Sequence, residues 1–247
     1  MYILICFLIF MAGSSFGSFL HVCLSRSGWL TGRSKCDNCG YTLRWYDLIP
    51  VFSYIFLRGK CRKCNEKISS SHFVSEIMMG ASFLCSFFCF QYYGVEYGIT
   101  VLAGLIFMTA AAIQDYIERE IYTATLYGGI ISAAATRTIY LYLDERYGGI
   151  IQFIAVVFML KLLFLLLSEL AKNKIGDGDF DLFIIMYCIC GGYGAVLALT
   201  IASVIGCMIY LPLIAIKKET KHKQLPFAPL LLAGTIAKLL LSCFGIF

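Results

Sequence analysis

Two short stretches place carboxylates against long apolar runs, where an unused charge is unfavourable. Asp115 follows the apolar run 97–113, and the stretch 176–181, Gly-Asp-Gly-Asp-Phe-Asp, precedes another. Two aspartates supplied by different helices at one depth could hold a water molecule between them. One carboxylate would take a proton from that water while the other donates a proton to a scissile carbonyl, which is general acid–base hydrolysis. We therefore predict that Asp115 and Asp179 form a catalytic pair.

These aspartates also have plainer interpretations, which stay open at this point. Any aspartate of the 176–181 stretch could cap the helix that follows, because Asp is favoured at helix N-termini. Asp115 could be a solvated helix end. Gly176 and Gly178 favour the catalytic interpretation, because a backbone that approaches a substrate closely needs residues without a Cβ. We expect these two glycines to shape the backbone around Asp179.

The chain also carries two Cys-x-x-Cys pairs with twenty-one residues between them. The four cysteines are Cys36, Cys39, Cys61 and Cys64. Two such knuckles at this separation are typical of a tetrahedral four-thiolate zinc site, in which the metal replaces a core that a short loop cannot build. Disulfides are the alternative, but the basic surroundings indicate the cytosol, where thiols stay reduced. We predict zinc.

The elements that must position these groups are membrane helices. Of the 247 residues, 60% are hydrophobic and 14% are charged, with a mean hydropathy of +0.81, which excludes an ordinary soluble domain. A helix needs about 20 apolar residues to cross the hydrocarbon. The apolar runs predict an all-α polytopic membrane protein with about eight transmembrane helices and a small zinc-ribbon-like loop module. The helices are expected at about 2–24, 73–93, 97–115, 121–142, 147–171, 180–193, 195–217 and 226–246.

The distribution of Lys and Arg predicts the orientation of these helices. Nine cations lie in the loop 25–71, and an eight-helix chain with both termini outside has 16 cations in its inward loops against Arg146 alone in its outward loops. The zinc loop and both aspartates are therefore expected on the cytoplasmic side. The predicted domains are a first transmembrane helix at 1–24, a cytoplasmic zinc-binding module at 25–72 and a seven-helix membrane peptidase domain at 73–247.

Several motifs together resemble one family. Gly176-x-Gly178-Asp179 is similar to the Gly-x-Gly-Asp signature of membrane aspartyl proteases. The zinc loop looks like the cytoplasmic domain of type IV prepilin peptidases, and two further segments match that family's pattern. The matching segments are Trp45 to Pro50, Leu57-Arg58-Gly59-Lys60-Cys61-Arg62-x-Cys64, Gly17-Ser18-Phe19-Leu20 and Pro226-Phe227-Ala228-Pro229. The resemblance covers essentially the whole chain, and its motifs follow one another in the family's order.

The resemblance implies a bifunctional enzyme of the cytoplasmic membrane. Such enzymes cut the short basic leader from type IV prepilins and pseudopilins, usually just after a Gly, and many then N-methylate the new terminus from S-adenosylmethionine. It implies that Asp115 and Asp179 are catalytic and that the four paired cysteines bind zinc. Because the sequence shows no Gly-rich nucleotide fingerprint, methyl transfer rests on the resemblance alone. We expect prepilin substrates and the lipid bilayer as partners, and no nucleic acid.

Three residues depart from the family pattern. Ile121 is followed by Tyr122 where the family usually has Pro, Asp181 stands where it often has Lys, and His21 stands where Asn is common. The extra negative charge suggests a site for basic leaders. Glu118, Asp177 and Asp181 are candidate contacts for leader Lys or Arg, although exposed carboxylates at helix ends are often merely solvated.

Two rival functions and four residues stay open. A non-catalytic zinc-containing membrane scaffold of a secretion or pilus system would explain the cysteine pairs but would not require Asp115 and Asp179 at one depth. A small transporter would place its carboxylates near the midplane instead of at helix ends.

The sequence assigns no role to four charged residues of the apolar runs, for which ion pairs, snorkelling or support of the site are the alternatives. These residues are Glu76, Arg137, Lys161 and Lys238.

Overall fold

The computed structural model describes residues 1–25, 34–36, 38–170, 177–216 and 226–245, and these residues form α-helices and turns. Apolar runs of sufficient length form the helices, and glycines or polar loops end them. The α-helices are α1 (Tyr2–Ser25), α2 (Phe52–Phe56), α3 (Ser70–Tyr93), α4 (Val95–Glu118), α5 (Thr123–Leu143), α6 (Tyr147–Leu170), α7 (Asp177–Ile216) and α8 (Ala228–Cys243). A 3₁₀ turn, Trp45–Leu48, precedes α2.

Within these described residues, five helices are long and apolar enough to cross a membrane. They are α1, α3, α4, most of α6 (Tyr147–Leu166) and most of α7 (Gly178–Pro212). Only 11% of the apolar window of α6 is buried. Most apolar side chains of α6 are therefore exposed. Their contact with lipid has no penalty, whereas their exposure to water would be unfavourable. The protein is a multi-pass membrane protein.

Helix α7 is a hairpin of two arms, 177–190 and 192–216, which meet at Gly191. Forty helical residues in line would extend about 60 Å, twice the thickness of the hydrocarbon. Gly191 interrupts the helix with φ 72° and ψ 177°, a conformation that only glycine adopts easily. The interruption confirms that this apolar run contains two helices, which the sequence analysis expects at about 180–193 and 195–217.

The contacts of the two arms show that they run in opposite directions. Along α8, Leu230 meets Gly206 of the second arm, Gly234 meets Ala198 and Lys238 meets Gly194, so this arm is antiparallel to α8. The first arm begins near the end of α4 and places Ile189 against Gly104, so it is antiparallel to α4. Helix α8 begins where α4 ends. The arms are therefore antiparallel, and the residues that the structure describes form long helices at all eight predicted places.

The chain divides into two compact units, Met1–Leu84 and Cys85–Phe247. The first contains α1, the cysteine loop, α2 and the beginning of α3. Its helices approach closely at Gly17, where an added Cβ would lie 2.6 Å from the Ser75 carbonyl oxygen. The second contains the remaining helices and both predicted catalytic aspartates. The predicted domain boundaries at 24 and 72 mark where the chain enters the membrane. The division into compact units does not test them, so they stay predictions.

Candidate active site

Asp115 lies in the last turn of α4, and the beginning of α8 fixes its side chain. The Asp115 Oδ2 atom accepts a hydrogen bond of 2.9 Å from the backbone nitrogen of Ala228, the first residue of α8. A helix N-terminus presents unpaired N–H groups and a partial positive charge, and both stabilise a carboxylate. Asp115 is half-buried. The Pro-Phe-Ala-Pro segment at 226–229 is thus the part of the chain that holds this carboxylate.

The turn after Asp115 is held by the buried side chain of Gln114. Arg119 ends α4 in the left-handed conformation, with φ 63°. The Gln114 Oε1 atom accepts a hydrogen bond of 3.1 Å from the Tyr122 backbone nitrogen, and its Nε2 atom donates one of 2.9 Å to Thr125 Oγ1. Both polar atoms of this buried amide are therefore satisfied. These bonds fix the start of α5 against the end of α4, beside Asp115.

Asp179 lies in the first turn of α7, within the range over which the charge of Asp115 acts. The negative charge of Asp115 acts on the Asp179 carboxyl, so the structure brings together the two aspartates that the sequence singled out. The Asp179 side chain is exposed, although protein atoms crowd one side of its carboxyl. Within the described residues, that carboxyl has no hydrogen-bond partner. It is open to a substrate or a water molecule.

Gly178 lies beside Ile121 and Leu126, at the start of α5. A Cβ added at Gly178 would lie 3.4 Å from Ile121 Cδ1 and 3.7 Å from Leu126 Cδ1. Both distances are ordinary van der Waals contacts with side-chain atoms, so the turn that carries Asp179 packs directly against these two residues. Gly176, the other predicted backbone-shaping residue, lies outside the described residues.

Asp181 is buried and forms an ion pair with Lys161 of α6. Its Oδ1 atom accepts a hydrogen bond from the Lys161 Nζ atom, and the residue is 5% exposed. The Lys161 Nζ atom also lies over two rings, 5.4 Å from the Tyr127 centroid and 5.6 Å from the Phe164 centroid. Sequence reasoning left the partner of Lys161 open, and the structure supplies it.

The three candidate leader contacts have different surroundings. The exposed Glu118 accepts a hydrogen bond of 2.5 Å from the Tyr122 hydroxyl, which raises the pKa of Tyr122. Asp181 points into the protein and is already paired, so it has no free carboxylate to offer a leader. The side chain of Asp177, the first residue of α7, lies outside the described part of the chain.

The four paired cysteines converge on one point in the first unit. The Sγ atoms of Cys36, Cys39, Cys61 and Cys64 all lie within 4.8 Å of one another. Two of the separations are 3.8 Å, Cys36 to Cys64, and 3.9 Å, Cys39 to Cys61. Four thiolates around a tetrahedral zinc at about 2.3 Å are about 3.8 Å apart, so the cluster could hold zinc.

The two Cys-x-x-Cys knuckles have the same backbone design. Each first cysteine accepts a hydrogen bond at its carbonyl oxygen, Cys36 from Gly40 N and Cys61 from Asn65 N, both at 3.0 Å. Gly40 and Asn65 have φ of 66° and 56°, the left-handed conformation that turns the chain back. The backbone N–H groups of Cys64 and Lys63 lower the pKa of the Cys61 thiol to about 6, while burial and the neighbouring thiols raise the pKa of Cys64 to about 11. A thiolate is the form that binds metal.

Asp47 links the two knuckles, a role that sequence reasoning missed. Its buried carboxylate accepts hydrogen bonds from Arg62 Nε at 2.9 Å, from the Arg44 backbone nitrogen at 3.3 Å and from the Tyr41 hydroxyl at 3.3 Å. Arg62 belongs to the second knuckle, and Tyr41 closely follows the first. The position of Asp47 inside a short apolar run was the available signal, because a carboxylate buried there needs partners.

A cavity of about 270 Å³ lies beside the cysteine cluster in the same unit. Its wall includes Cys36, Cys61, Arg62, His72 and Glu76. The Glu76 Oε2 atom accepts a hydrogen bond of 2.7 Å from the backbone nitrogen of Val51. Val51 has φ 64°, which is unfavourable for a β-branched residue, so this bond holds a strained turn at the cavity. The cavity combines apolar walls with both signs of charge.

Known proteins resemble both the segment with the cysteine cluster and most of the remaining chain. The family model of the bacterial peptidase A24 N-terminal domain matches residues 11–90, the segment that holds the cysteine cluster. The prepilin leader peptidase/N-methyltransferase of Bacillus subtilis is 26% identical over 238 residues, which is 93% of this chain and 91% of that protein. Over most of its length the chain is therefore similar to a prepilin leader peptidase.

Other prepilin peptidases match over shorter stretches. The type 4 prepilin-like proteins leader peptide-processing enzyme of Escherichia coli O78:H11 is 28% identical over 215 residues, which is 85% of this chain and 76% of that protein. The prepilin leader peptidase/N-methyltransferase of Vibrio cholerae is 51% identical over 47 residues, 19% of each chain. No solved structure gives a significant match.

The three departures from the prepilin peptidase pattern each have a local explanation. Tyr122 uses the backbone N–H that a proline would lack, in its bond to Gln114. His21 is buried and its Nε2 atom is 3.1 Å from the Ser71 hydroxyl oxygen. Asp181 is neutralised by Lys161. The structure therefore accommodates each unusual residue through a specific partner.

Proposed function

We propose that this protein is a membrane aspartyl endopeptidase that removes the leader peptide of type IV prepilins or pseudopilins. The proximity of Asp115 and Asp179, which belong to two different helices, is the observation that carries the proposal. A scaffold protein would not need two carboxylates held against each other, because like charges at close range are unfavourable. A hydrolase benefits from that arrangement, since the pair holds one proton and one negative charge between them.

The surroundings of the two aspartates assign their roles in this proposal. The N–H group of Ala228 and the N-terminus of α8 stabilise negative charge on Asp115. Asp115 is then the base that takes a proton from water, and the water oxygen attacks the scissile carbonyl carbon. Asp179, which carries the shared proton, donates it to the carbonyl oxygen. When the C–N bond breaks, the proton held by Asp115 passes to the leaving amine, and a hydroxyl group of the intermediate returns a proton to Asp179.

The substrate fits the position of this pair at the ends of apolar helices. A prepilin has a basic leader followed by an apolar helix, and the cleavage point lies between them. The apolar helix would remain beside the membrane helices while the leader stays in water. The exposed Glu118 is the described carboxylate that could attract leader Lys or Arg, together with Asp177. Asp181 is excluded from this role by its pairing with Lys161.

The sidedness of the protein follows from its loop charges in this proposal. With eight spans, 16 cations fall in the inward loops and Arg146 alone in the outward ones, which supports a cytoplasmic active site and external termini. The cysteine cluster would then lie in the reducing cytosol, where it holds zinc as a structural metal. Zinc supplies the cross-link that the 25–72 loop needs to fold.

Substitution of each aspartate tests the peptidase. Asp115→Asn and Asp179→Asn should each lower kcat at least a thousandfold on a synthetic prepilin with a basic leader, a Gly at the cleavage point and an apolar helix. Asp144→Asn is the matched control, because Asp144 is exposed and pairs only with Arg146 in the described structure. Mass spectrometry of the product measures cleavage. Full activity of either aspartate variant contradicts the catalytic pair, whereas a wild-type protein that does not cleave supports the scaffold.

The cavity beside the cysteine cluster favours a second activity, N-methylation of the newly formed terminus. The relatives from Bacillus subtilis and Vibrio cholerae are named N-methyltransferases. S-adenosylmethionine carries a sulfonium cation, an amino group and a carboxylate, and the cavity offers the Glu76 carboxylate and the Arg62 guanidinium. We place the methyl donor there within this proposal.

The mass of the cleaved product tests methylation separately from cleavage. Incubation with S-adenosylmethionine should add 14 Da per methyl group to the mature terminus, which follows from replacing one hydrogen by CH₃ (a shift of about 14 Da). Glu76→Gln should lower methylation while leaving cleavage within about twofold. Glu96→Gln serves as the control, since Glu96 lies in the second unit at the start of α4. Cleavage without any added mass contradicts the second activity alone.

A further inference from the structure

We propose that the Lys161–Asp181 ion pair is a positioning device that holds Asp179 opposite Asp115; this inference rests on the proposed peptidase. The two members of the pair come from α6 and from the first arm of α7. Asp181 lies only two residues after Asp179 in the same helical turn. The pair therefore acts on the part of the helix that carries the second aspartate.

The two aspartates of the active site differ in how they are held. Asp115 has its own anchor, the hydrogen bond from Ala228. The Asp179 carboxyl has no hydrogen-bond partner among the described residues, so its location depends on the turn to which it belongs. That turn begins a helix, where backbone N–H groups lack partners, and it contains the flexible Gly178. Something outside the turn must hold it in place.

Two residues of α6, Lys161 and Phe164, supply that support. The Phe180 ring, which follows Asp179, stacks on Phe164 with ring centroids 4.5 Å apart and an angle of 29° between the rings. One helical turn away from Phe164, Lys161 bonds the Asp181 carboxylate. The residues immediately after Asp179 are therefore fixed to α6 at two neighbouring points. A ring stack alone permits sliding, whereas an ion pair with a hydrogen bond has a direction.

The position of the pair explains why two charges are retained inside an apolar region. A lone Lys at the centre of a membrane helix is unfavourable by about 2.5–3.5 kcal/mol on insertion scales. Lys161 belongs to the apolar span Tyr147–Leu166, and Asp181 is buried. Two apolar residues would fill this space at no such penalty, and buried ion pairs are often replaceable without loss of stability. A requirement for a fixed geometry at Asp179 accounts for the pair.

Four variants separate positioning from simple support of the fold. Lys161→Met leaves Asp181 unpaired, and Lys161→Met with Asp181→Leu fills the same space without charge. Lys161→Asp with Asp181→Lys exchanges the hydrogen-bond donor and acceptor and keeps an ion pair between α6 and α7. Lys238→Met is the matched control, because this other intramembrane lysine lies at the opposite end of α8 from Ala228 and has no acidic partner within the described structure. Thermal unfolding in detergent establishes which variants fold.

We expect Lys161→Met and the apolar double variant to lower kcat on the model prepilin at least tenfold, with KM within twofold of the wild type. The reversed pair should recover kcat to within threefold, and Lys238→Met should keep it within twofold. In the apolar double variant the acidic and basic limbs of the kcat profile against pH should also move closer together. The coupling between two carboxylates falls as they separate, and that coupling sets the distance between the limbs.

The outcomes that overturn the proposal are distinct from those that overturn the peptidase. A wild-type protein that does not cleave the prepilin contradicts the peptidase itself. If the wild type cleaves and every variant that folds keeps kcat within twofold, the pair only supports folding and positioning is wrong. A reversed pair that folds but is no more active than the apolar double variant also contradicts positioning of Asp179 by an ion pair at Lys161 and Asp181.

Discussion

The Asp115 carboxylate accepts a hydrogen bond of 2.9 Å from the backbone nitrogen of Ala228, 113 residues later in the chain. This contact joins the end of α4 to the beginning of α8. It gives the Asp115 carboxylate a hydrogen-bond donor, which the Asp179 carboxyl lacks within the described structure. The two aspartates are thus chemically unequal before any substrate binds, which is what an acid and a base require.

Removal of the Ala228 N–H group should lower cleavage without unfolding the protein. Ala228→Pro deletes the donor, and proline is well tolerated at the first position of a helix. A hydrogen bond to a charged group contributes about 1.5–3 kcal/mol, so kcat should fall about tenfold to a hundredfold. Ala228→Gly retains the N–H group and should stay within about twofold. Equal rates for these two variants would show that the contact does not matter for Asp115.

Loss of one thiolate should release the metal. The purified protein should contain one zinc per chain by atomic absorption, and Cys36→Ser or Cys61→Ser should reduce this to a small fraction, because a structural site needs all four ligands. Residues of the zinc loop should then become sensitive to protease. Cys207→Ser is the control, since Cys207 is exposed on the second arm of α7 and is not one of the four clustered cysteines. Full zinc content in Cys61→Ser would exclude the four-thiolate site.

Asp47→Ala should weaken the zinc module even though Asp47 is not a ligand. Three donors lose their shared acceptor, and the Arg62 guanidinium loses its partner. We expect the free energy of unfolding of the module to fall by about 2–3 kcal/mol. Competition with a chromophoric chelator measures the change, because zinc binding is coupled to folding. Glu66→Ala removes an exposed carboxylate from the same loop and should leave the competition curve unchanged.

The helices could be predicted from sequence because apolar length decides where a chain crosses a membrane. The expected helix at 121–142 is Thr123–Leu143, and the expected helix at 147–171 is Tyr147–Leu170. The turn at Gly191 was predictable because glycine permits a positive φ that other residues avoid. The four-cysteine cluster was predictable because its spacing is set by the geometry of the metal.

The contacts between helices could not be predicted in the same way. Helix α6 is apolar nearly all round, so no stripe of hydrophobic residues marks which face Lys161 occupies. The partner of Asp115 is a backbone nitrogen, which carries no sequence signal. Asp181 was interpreted as a surface group because acidic residues near helix starts usually are. Its burial depends on a lysine twenty residues earlier that folding brings alongside.

Gly17 should tolerate no side chain, because α1 and α3 touch there. A Cβ at Gly17 would lie 2.6 Å from the Ser75 carbonyl oxygen and 2.7 Å from Met79 Cβ, and neither atom can move without moving the backbone of α3. Gly17→Ala should therefore lower the free energy of unfolding by about 1–3 kcal/mol, although alanine is the better helix former. Thermal unfolding in detergent should show a lower midpoint.

Gly148→Ala makes the same chemical change at a place with room for it. No atom lies within 4 Å of the Cβ that would be added at Gly148, in the first turn of α6. Its unfolding midpoint should stay the same or rise, because alanine stabilises a helix by up to about 1 kcal/mol relative to glycine. If Gly17→Ala behaves like Gly148→Ala, then α1 and α3 do not pack through Gly17, and the glycine of the Gly-Ser-Phe-Leu segment must serve another purpose.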